Sequence, residues 1–315
     1  MSDFRVLLAT EKAFGSSAVQ AIEATLAATP GFRLTKLENY TSREEFLNLA
    51  SEAEAVIVRS DKCDAEFFSR AKNLKLLVRA GAGVDTIDLA AARERGVVVQ
   101  NTPGMNSNAV AELVFGMLLF HLRTHFNGDL GSELRGRRLG LHGCGNVSRF
   151  VIQVARGFGF ASIIAYDPFL GRAKIEELGV QCAETLDELF TNSDIVSLHI
   201  PLTPETNQSI NRNFLTKMPK GGILVNTARQ EVIHEGDLLE VLTEHRRDLS
   251  YLADVQPGNL AALKATLAEK FDKQVFVTPK KLGAQTIEAN NNCAPAAARQ
   301  IVGFFTKNEN KFQVN

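Results

Sequence analysis

The stretch that decides the fold is Leu139-Gly140-Leu141-His142-Gly143-Cys144-Gly145-Asn146-Val147-Ser148. A short apolar run, Leu139 to His142, leads into a glycine turn and then into a helical pattern. Gly143 lets the chain turn sharply, and Gly145 withdraws a side chain so that a pyrophosphate can approach the backbone. The amides near Asn146 and Val147, at the start of the helix, then face the phosphates. Where this turn usually has a third Gly or Ala, the chain has Ser148, still small enough for close helix–strand packing. By itself the pattern also fits any tight strand–helix turn. Asp167, in Ala165-Tyr166-Asp167-Pro168, ends the next apolar run at about the spacing of ~20 residues expected of a ribose-binding acid. A carboxylate there accepts hydrogen bonds from both adenosine ribose hydroxyls and repels a 2′-phosphate. Glycines, strand, helix and acid together point to dinucleotide binding, with NAD favoured over NADP.

Outward from this turn, short β-branched and aliphatic runs alternate with helical patterns. Before it lie Arg5 to Thr10, Ala55 to Arg59, Leu74 to Arg79 and Val97 to Gln100, with helices such as Ser16 to Ala28 and Asp88 to Arg95 between them. From Leu139 a second series follows: Leu139 to His142, Ile163 to Asp167, Ile195 to His199, Ile223 to Asn226, Tyr251 to Val255 and Val275 to Thr278, with a helix over Glu235 to Arg247. Runs apolar on both faces suit buried parallel strands. The expectation is an α/β chain of two doubly wound parallel-sheet domains. Residues 1–107 form the first, to which a final helix from about Glu288 to Phe305 (residues 286–315) returns; residues 108–285 form the second, entered through a helix from Asn108 to about Leu122.

Composition excludes several classes of function. The 315 residues are 45% hydrophobic and 23% charged, with a formal net charge of -1. That is ordinary for a globular chain and offers no basic field for nucleic acid or an acidic membrane. The longest apolar stretch, Ala109 to Leu122, contains Glu112 and is shorter than the ~20 residues of a membrane span. Cys63, Cys144, Cys182 and Cys293 are scattered, which argues against a disulfide framework or a zinc site and for a reducing, cytoplasmic setting. The start, Met1-Ser2-Asp3-Phe4-Arg5, lacks the apolar core of a signal peptide. His121 and His125, read as one helical turn apart, are expected at a surface or interface rather than on a metal; no metal is expected.

Several strings match one family: Arg79-Ala80-Gly81-Ala82-Gly83-Val84-Asp85, Asn101 to Ser107, Ala111-Glu112, Ser193 to His199, Pro219 to Arg229 with its Asn226-Thr227-Ala228-Arg229, Ala253-Asp254-Val255, and Thr278 to Ala284. Over essentially its whole length the chain resembles the D-isomer-specific 2-hydroxyacid dehydrogenases and, among them, the short phosphoglycerate dehydrogenases. The resemblance implies a Rossmann NAD-binding domain and a flavodoxin-like substrate domain, NAD as cofactor, a phosphorylated 2-hydroxy acid as substrate, a place in serine biosynthesis and a homodimer. Longer relatives carry a C-terminal regulatory domain; a chain ending at Asn315 is expected to lack feedback through one. Other enzymes of the family, such as hydroxypyruvate or glyoxylate reductases, and an NAD-sensing corepressor-like protein are the alternatives.

Oxidising a 2-hydroxy acid needs a cation for the carboxylate and the C2 oxygen, a base for the hydroxyl proton and a hydride acceptor. The resemblance assigns the first to Arg229. The family's base is a histidine in Thr-Pro-His-x-Gly, supported by a glutamate. Here the sequence reads Thr278-Pro279-Lys280-Lys281-Leu282-Gly283, and Asp254-Val255 is followed by Gln256-Pro257-Gly258-Asn259 with no acid. Counting from the glycine gives Lys281 the histidine's place; counting from Thr-Pro gives it to Lys280. The two departures belong together: a lysine base needs its pKa lowered, which a carboxylate opposes and which burial and the charge of Arg229 would favour. The resemblance further assigns Asp254, His199, Pro201, Thr227 and Gly283 to the cofactor's surroundings. It assigns Arg59, Ser60 and Arg79 to a phosphate, and Ala82, Gly83 and Asn106 to the rest of the substrate. His234 is read as a surface residue.

Overall fold

The computed structural model describes residues 3–315. The chain divides into two compact units: one runs through Asn106 and takes back Thr286–Asn315, the other is Ser107–Gln285. In the first, β1 (Phe4–Thr10), β2 (Phe32–Glu38), β3 (Ala55–Val58), β4 (Leu76–Arg79) and β5 (Val98–Asn101) form one parallel sheet in the order β2-β1-β3-β4-β5. In the second, β6 (Arg138–His142), β7 (Ser162–Tyr166), β8 (Gln181–Cys182), β9 (Ile195–Leu198), β10 (Ile223–Asn226), β11 (Ser250–Ala253) and β12 (Val275–Val277) form another, in the order β12-β11-β10-β9-β6-β7-β8. Its pairings are parallel throughout. Both orders reverse beside the first strand of their series, the topology of a doubly wound sheet, and ligands bind such sheets outside the carboxyl ends of the strands at that reversal.

The period of two along each strand explains why both sheets are covered on both faces. In β1, Val6 and Leu8 pack into one apolar cluster while Leu7 and Ala9 pack into another. In β10, Leu224 faces one cluster and Ile223 and Val225 the other. The helix Ile287–Lys307 returns to the first unit, where Cys293, Ala294, Ala297, Ala298 and Ile301 close one face of the sheet. Among the described residues no helix is long and apolar enough to cross a membrane.

Three local expectations need correction. The strands β2 and β8 are absent from the sequence reading; each is the outermost strand of its sheet. β2, Phe-Arg-Leu-Thr-Lys-Leu-Glu, is largely exposed, so it lacks the double-faced apolar run that marks the interior strands. The helix expected over Glu235 to Arg247 is α-helical only over Glu235–Glu240 and loosens into a π turn at Val241–His245. His121 and His125 do not share a helix: the helix ends at Leu122, and His125 lies in a separate turn with φ 56°. There the His125 ring stacks on Phe120, while His121 Nε2 bonds Ser250 Oγ at 2.9 Å. Burial draws the His121 pKa down to about 4.

Candidate active site

The glycine turn sits at the carboxyl end of β6, beside the reversal of strand order. Gly143 has φ +92°, and a Cβ there would stand 3.0 Å from the His199 carbonyl oxygen, so both its conformation and its packing require glycine. The Gly143 N–H donates to the Tyr166 carbonyl (2.8 Å), and the Ser148 hydroxyl donates back to the Gly143 carbonyl (2.5 Å). Ser148 is therefore more than a small residue in a tight place: it clips the turn to the helix. That helix, Asn146–Phe158, starts with Gly145 as its N-cap, and a Cβ on Gly145 would meet nothing within 4 Å. Open space before the first-turn amides of a helix is what a pyrophosphate needs.

Asp167 follows β7 and ties the turn to its neighbour. Its Oδ2 accepts the Cys144 N–H (2.8 Å), and its Oδ1 accepts the N–H groups of Phe169 (3.0 Å) and Leu170 (3.2 Å). Phe169, 93% exposed, and Leu202, 38% exposed, follow β7 and β9, the strands on either side of β6. Sequence reasoning passed over both, because an apolar residue in a loop carries no signal until its strand's place is known. Together they offer apolar faces beside the turn. Below it, His142 and His199 each bury a ring nitrogen: His142 Nδ1 and His199 Nε2 find no partner among the described residues. Burial lowers their pKa values to about 4 and about 3, with the neighbouring His142 adding to the effect on His199. Both rings are therefore neutral near pH 7. Pro201 is exposed, and its carbonyl accepts the Thr206 hydroxyl (2.6 Å).

The next strands carry the charged side chains. β10 stops at Asn226, so Arg229 does not follow the strand directly; a turn intervenes, and Asn226 builds it. The Asn226 side chain, fully buried, accepts the Ala228 N–H (3.0 Å) and donates to the Arg229 carbonyl (2.9 Å) and to the Tyr251 hydroxyl (3.3 Å). The half-buried Arg229 guanidinium donates to the Ala228 carbonyl at 2.8 Å. Thr227, at the crest, is 8% exposed, and its hydroxyl oxygen is buried without a partner among the described residues. Such an orphaned polar atom at the carboxyl end of the same sheet as the glycine turn, with the open space at Gly145 and the carboxylate of Asp167, fits a bound dinucleotide.

Asp254 follows β11 and is 1% exposed. Its Oδ1 accepts the Thr278 hydroxyl (2.9 Å) and the Leu282 N–H (2.7 Å), and its Oδ2 accepts the Gly283 N–H (2.8 Å). Lys280 and Lys281 lie on this loop, and both are exposed; the burial expected to adapt a lysine base is absent from this structure. The segment Gln256 to Asn259 holds no acid. Glu235 instead reaches back to it, accepting the N–H groups of Gly258 (2.6 Å) and Asn259 (3.0 Å), so that carboxylate is spent on the backbone. His234 caps the helix Glu235–Glu240, its Nδ1 accepting the Asp237 N–H at 3.1 Å, and is partly exposed as expected.

In the first unit, Arg59 and Arg79 come together at the ends of the adjacent strands β3 and β4. Arg79 Nε donates to the Arg59 carbonyl (2.8 Å), and its guanidinium folds over Gly81, where any Cβ would collide. The Arg59 guanidinium lies 5.5 Å from the Phe14 ring centroid, and burial draws its pKa down. Arg59 lies just beyond β3 because its N–H turns to Asp61 Oδ2 (2.9 Å). Asn101 Nδ2 donates to the Ala82 carbonyl (2.6 Å) and the Thr102 N–H to the Gly81 carbonyl (2.9 Å), which shapes the loop containing Ala82 and Gly83. Ser60 is exposed and Asn106 half-buried.

A family model described as the NAD binding domain of D-isomer specific 2-hydroxyacid dehydrogenase matches residues 121–280. A D-3-phosphoglycerate dehydrogenase of Methanocaldococcus jannaschii is 37% identical over 277 residues, 82% of this chain and 51% of that protein. A hydroxypyruvate reductase of Thermotoga maritima is 39% identical over 233 residues, 69% of this chain and 74% of that one. The crystal structure of NAD+-bound 3-phosphoglycerate dehydrogenase from Entamoeba histolytica superposes with a TM-score of 0.89 at 39% identity, covering 100% of this chain and 99% of the other. The chain spans about half the length of the archaeal phosphoglycerate dehydrogenases it matches. Sheet order, glycine turn and these likenesses agree: the chain belongs to the D-isomer specific 2-hydroxyacid dehydrogenase family, and residues 121–280 match that family's NAD-binding domain.

Proposed function

We propose that the protein is an NAD-dependent dehydrogenase that interconverts D-3-phosphoglycerate and 3-phosphohydroxypyruvate, acting in serine biosynthesis in the cytoplasm. The observation that carries the reading is Arg229, held by Asn226 at the end of β10, in the same sheet as the glycine turn at the end of β6. The nicotinamide supplies the hydride acceptor. Arg229 binds the substrate carboxylate and the C2 oxygen through its planar fork and stabilises charge on that oxygen. Lys281 accepts the hydroxyl proton in oxidation and returns it in reduction; Lys280 is the other candidate. Arg59 and Arg79, with Ser60, hold the phosphate, and Ala82, Gly83 and Asn106 line the remainder of the substrate. Gly143, Gly145, Asn146, Val147, Asp167, His199, Pro201, Thr227, Asp254 and Gly283 surround the cofactor. On this reading residues 1–107 with 286–315 are the substrate domain and 108–285 the NAD-binding domain.

Rates of NADH oxidation with 3-phosphohydroxypyruvate and with hydroxypyruvate test this in one series. Two charge-assisted contacts to the phosphate make a preference of about 100-fold in kcat/KM the expected result. Arg59→Ala combined with Arg79→Ala should erase it. Equal rates with both substrates favour the second reading, to which the Thermotoga maritima relative lends weight: reduction of an unphosphorylated 2-keto acid. NADH binding without turnover of either would favour a cofactor-sensing protein. We also propose a homodimer. The exposed Phe126 (68%) and Leu130 (98%), on the segment after the helix Ser107–Leu122, support it; a monomeric mass by light scattering would oppose it.

A further inference from the structure

We propose that Asp254, with Thr278, is a positioning device for the lysine loop that orients Lys281 through the backbone. The inference rests on the dehydrogenase reading above. The family's glutamate acts on the side chain of a histidine, and this chain has neither residue at the matching places. A lysine has no second ring nitrogen by which a partner could orient it, and a carboxylate on its ammonium would hold the proton in place. Its loop can instead be fixed from below.

Asp254 meets that requirement. The Thr278 hydroxyl at the loop's start and the Leu282 and Gly283 N–H groups at its end converge on one carboxylate. The span between them is Pro279, Lys280 and Lys281. The amide of Leu282 belongs to the peptide unit that follows Lys281, so the clasp fixes the plane on which Lys281 is mounted. Lys280 is separated from a clasped amide by one further residue. A Cβ on Gly283 would stand 3.0 Å from Asp254 Oδ2 and 3.2 Å from Val110 Cγ2, so glycine is needed for the loop to approach this closely. With the carboxylate 1% exposed, three donors offset the cost of burying its charge. A carboxylate offers about four acceptor sites, so one remains for a carboxamide N–H of the cofactor. Clasp and cofactor contact are compatible, and Thr278, whose hydroxyl donates to Asp254, is the variant that targets the clasp.

The test compares Thr278→Val, Thr278→Ser and Asp254→Asn for kcat, the pH profile of kcat, and NADH affinity by fluorescence titration. Thr278→Val should lower kcat about tenfold, in keeping with one lost hydrogen bond to a charged group, and displace the pH profile, at unchanged NADH affinity. Thr278→Ser should restore both. Asp254→Asn should lose at least as much, because an amide cannot accept all three donors, and should weaken NADH as well. Hydrogen exchange at Leu282 and Gly283 should be slow in the wild type and faster in Asp254→Asn. Wild-type kcat and pH profile in Thr278→Val overturn the clasp's role. Equal damage in Thr278→Ser and Thr278→Val overturns it too, by exposing a packing effect. An inactive wild-type protein removes the functional reading and this role with it; an active one with an indifferent Thr278→Val removes the role alone.

Discussion

The glycine turn at residues 143–148 and the lysine loop at residues 278–283 both lie at carboxyl ends of strands in the same sheet, and they are held by different means. The turn is mostly backbone. Its shape comes from Gly143 at positive φ, its ties are the main-chain bond to Tyr166, the Ser148 clip and the Asp167 carboxylate on the Cys144 N–H, and its ligand space is the missing side chain of Gly145. The loop is organised by one buried carboxylate supplied from the preceding strand, β11. A backbone-built site tolerates change in its neighbours but not in its glycines. A side-chain-built site tolerates change in its loop away from Gly283, but not in its anchor. On the proposed reading, this difference explains how the cofactor turn is kept while a lysine stands at the histidine's place.

Substitutions can break that contrast, beginning with the largest effect. Lys281→Ala should lower kcat about 1000-fold, within the range of general acid–base catalysis, and leave NADH affinity unchanged. Lys280→Ala should cost no more than about threefold, as expected of a solvated side chain making at most a weak surface pairing. The reverse ranking would move the role to Lys280. On the cofactor side, Gly145→Val should weaken NADH binding about 100-fold by filling the space before the helix amides, with the thermal midpoint little changed because nothing lies within 4 Å of the new Cβ. Unchanged affinity would show that the pyrophosphate lies elsewhere. Asp167→Ala should weaken NADH by about tenfold, the loss of a charged hydrogen-bond partner, and narrow the preference over NADPH.

The smallest effect concerns stability. His121, His142 and His199 are drawn by burial to about 4, about 4 and about 3, all below the usual value of 6.5. Between about pH 6.5 and 4 the unfolded chain therefore binds protons that the folded chain refuses, and the folded state loses stability as the pH falls through that window. Above it these histidines contribute no pH dependence. The thermal midpoint should fall steadily from pH 6.5 to 5, and less in His142→Asn than in the wild type. A flat midpoint over that interval in the wild type would mean that these rings accept protons without disturbing the fold beneath the glycine turn.

What was legible in the sequence follows the same contrast. The turn could be read because its determinants are local: two glycines, a small residue and an acid one strand later. The interior strands could be read because burial on both faces leaves continuous apolar runs. β2 and β8 escaped because β2 alternates with charged residues and β8 is two residues long; the other edge strands, β5 and β12, were read because they keep apolar runs. The Asn226 turn under Arg229 and the Asp254 clasp escaped for another reason. Asn226 was visible as part of a string, but its bond to Tyr251 depends on the alignment of β10 with β11, and its bonds to Ala228 and Arg229 on the turn it builds. Asp254 and the loop it holds are separated by 24 residues or more, a distance over which spacing carries no geometric information. The same limit left the exposure of Lys280 and Lys281 unread, since it depends on what surrounds their loop.

The most direct test of the central claim follows the hydride itself. The protein is incubated with 3-phosphohydroxypyruvate and NADH carrying deuterium at both C4 positions, and the product is examined for label position and configuration. The account predicts one deuterium at C2 of D-3-phosphoglycerate, delivered without exchange into solvent. Unlabelled product, the L isomer, or no product from protein that binds NADH would contradict it.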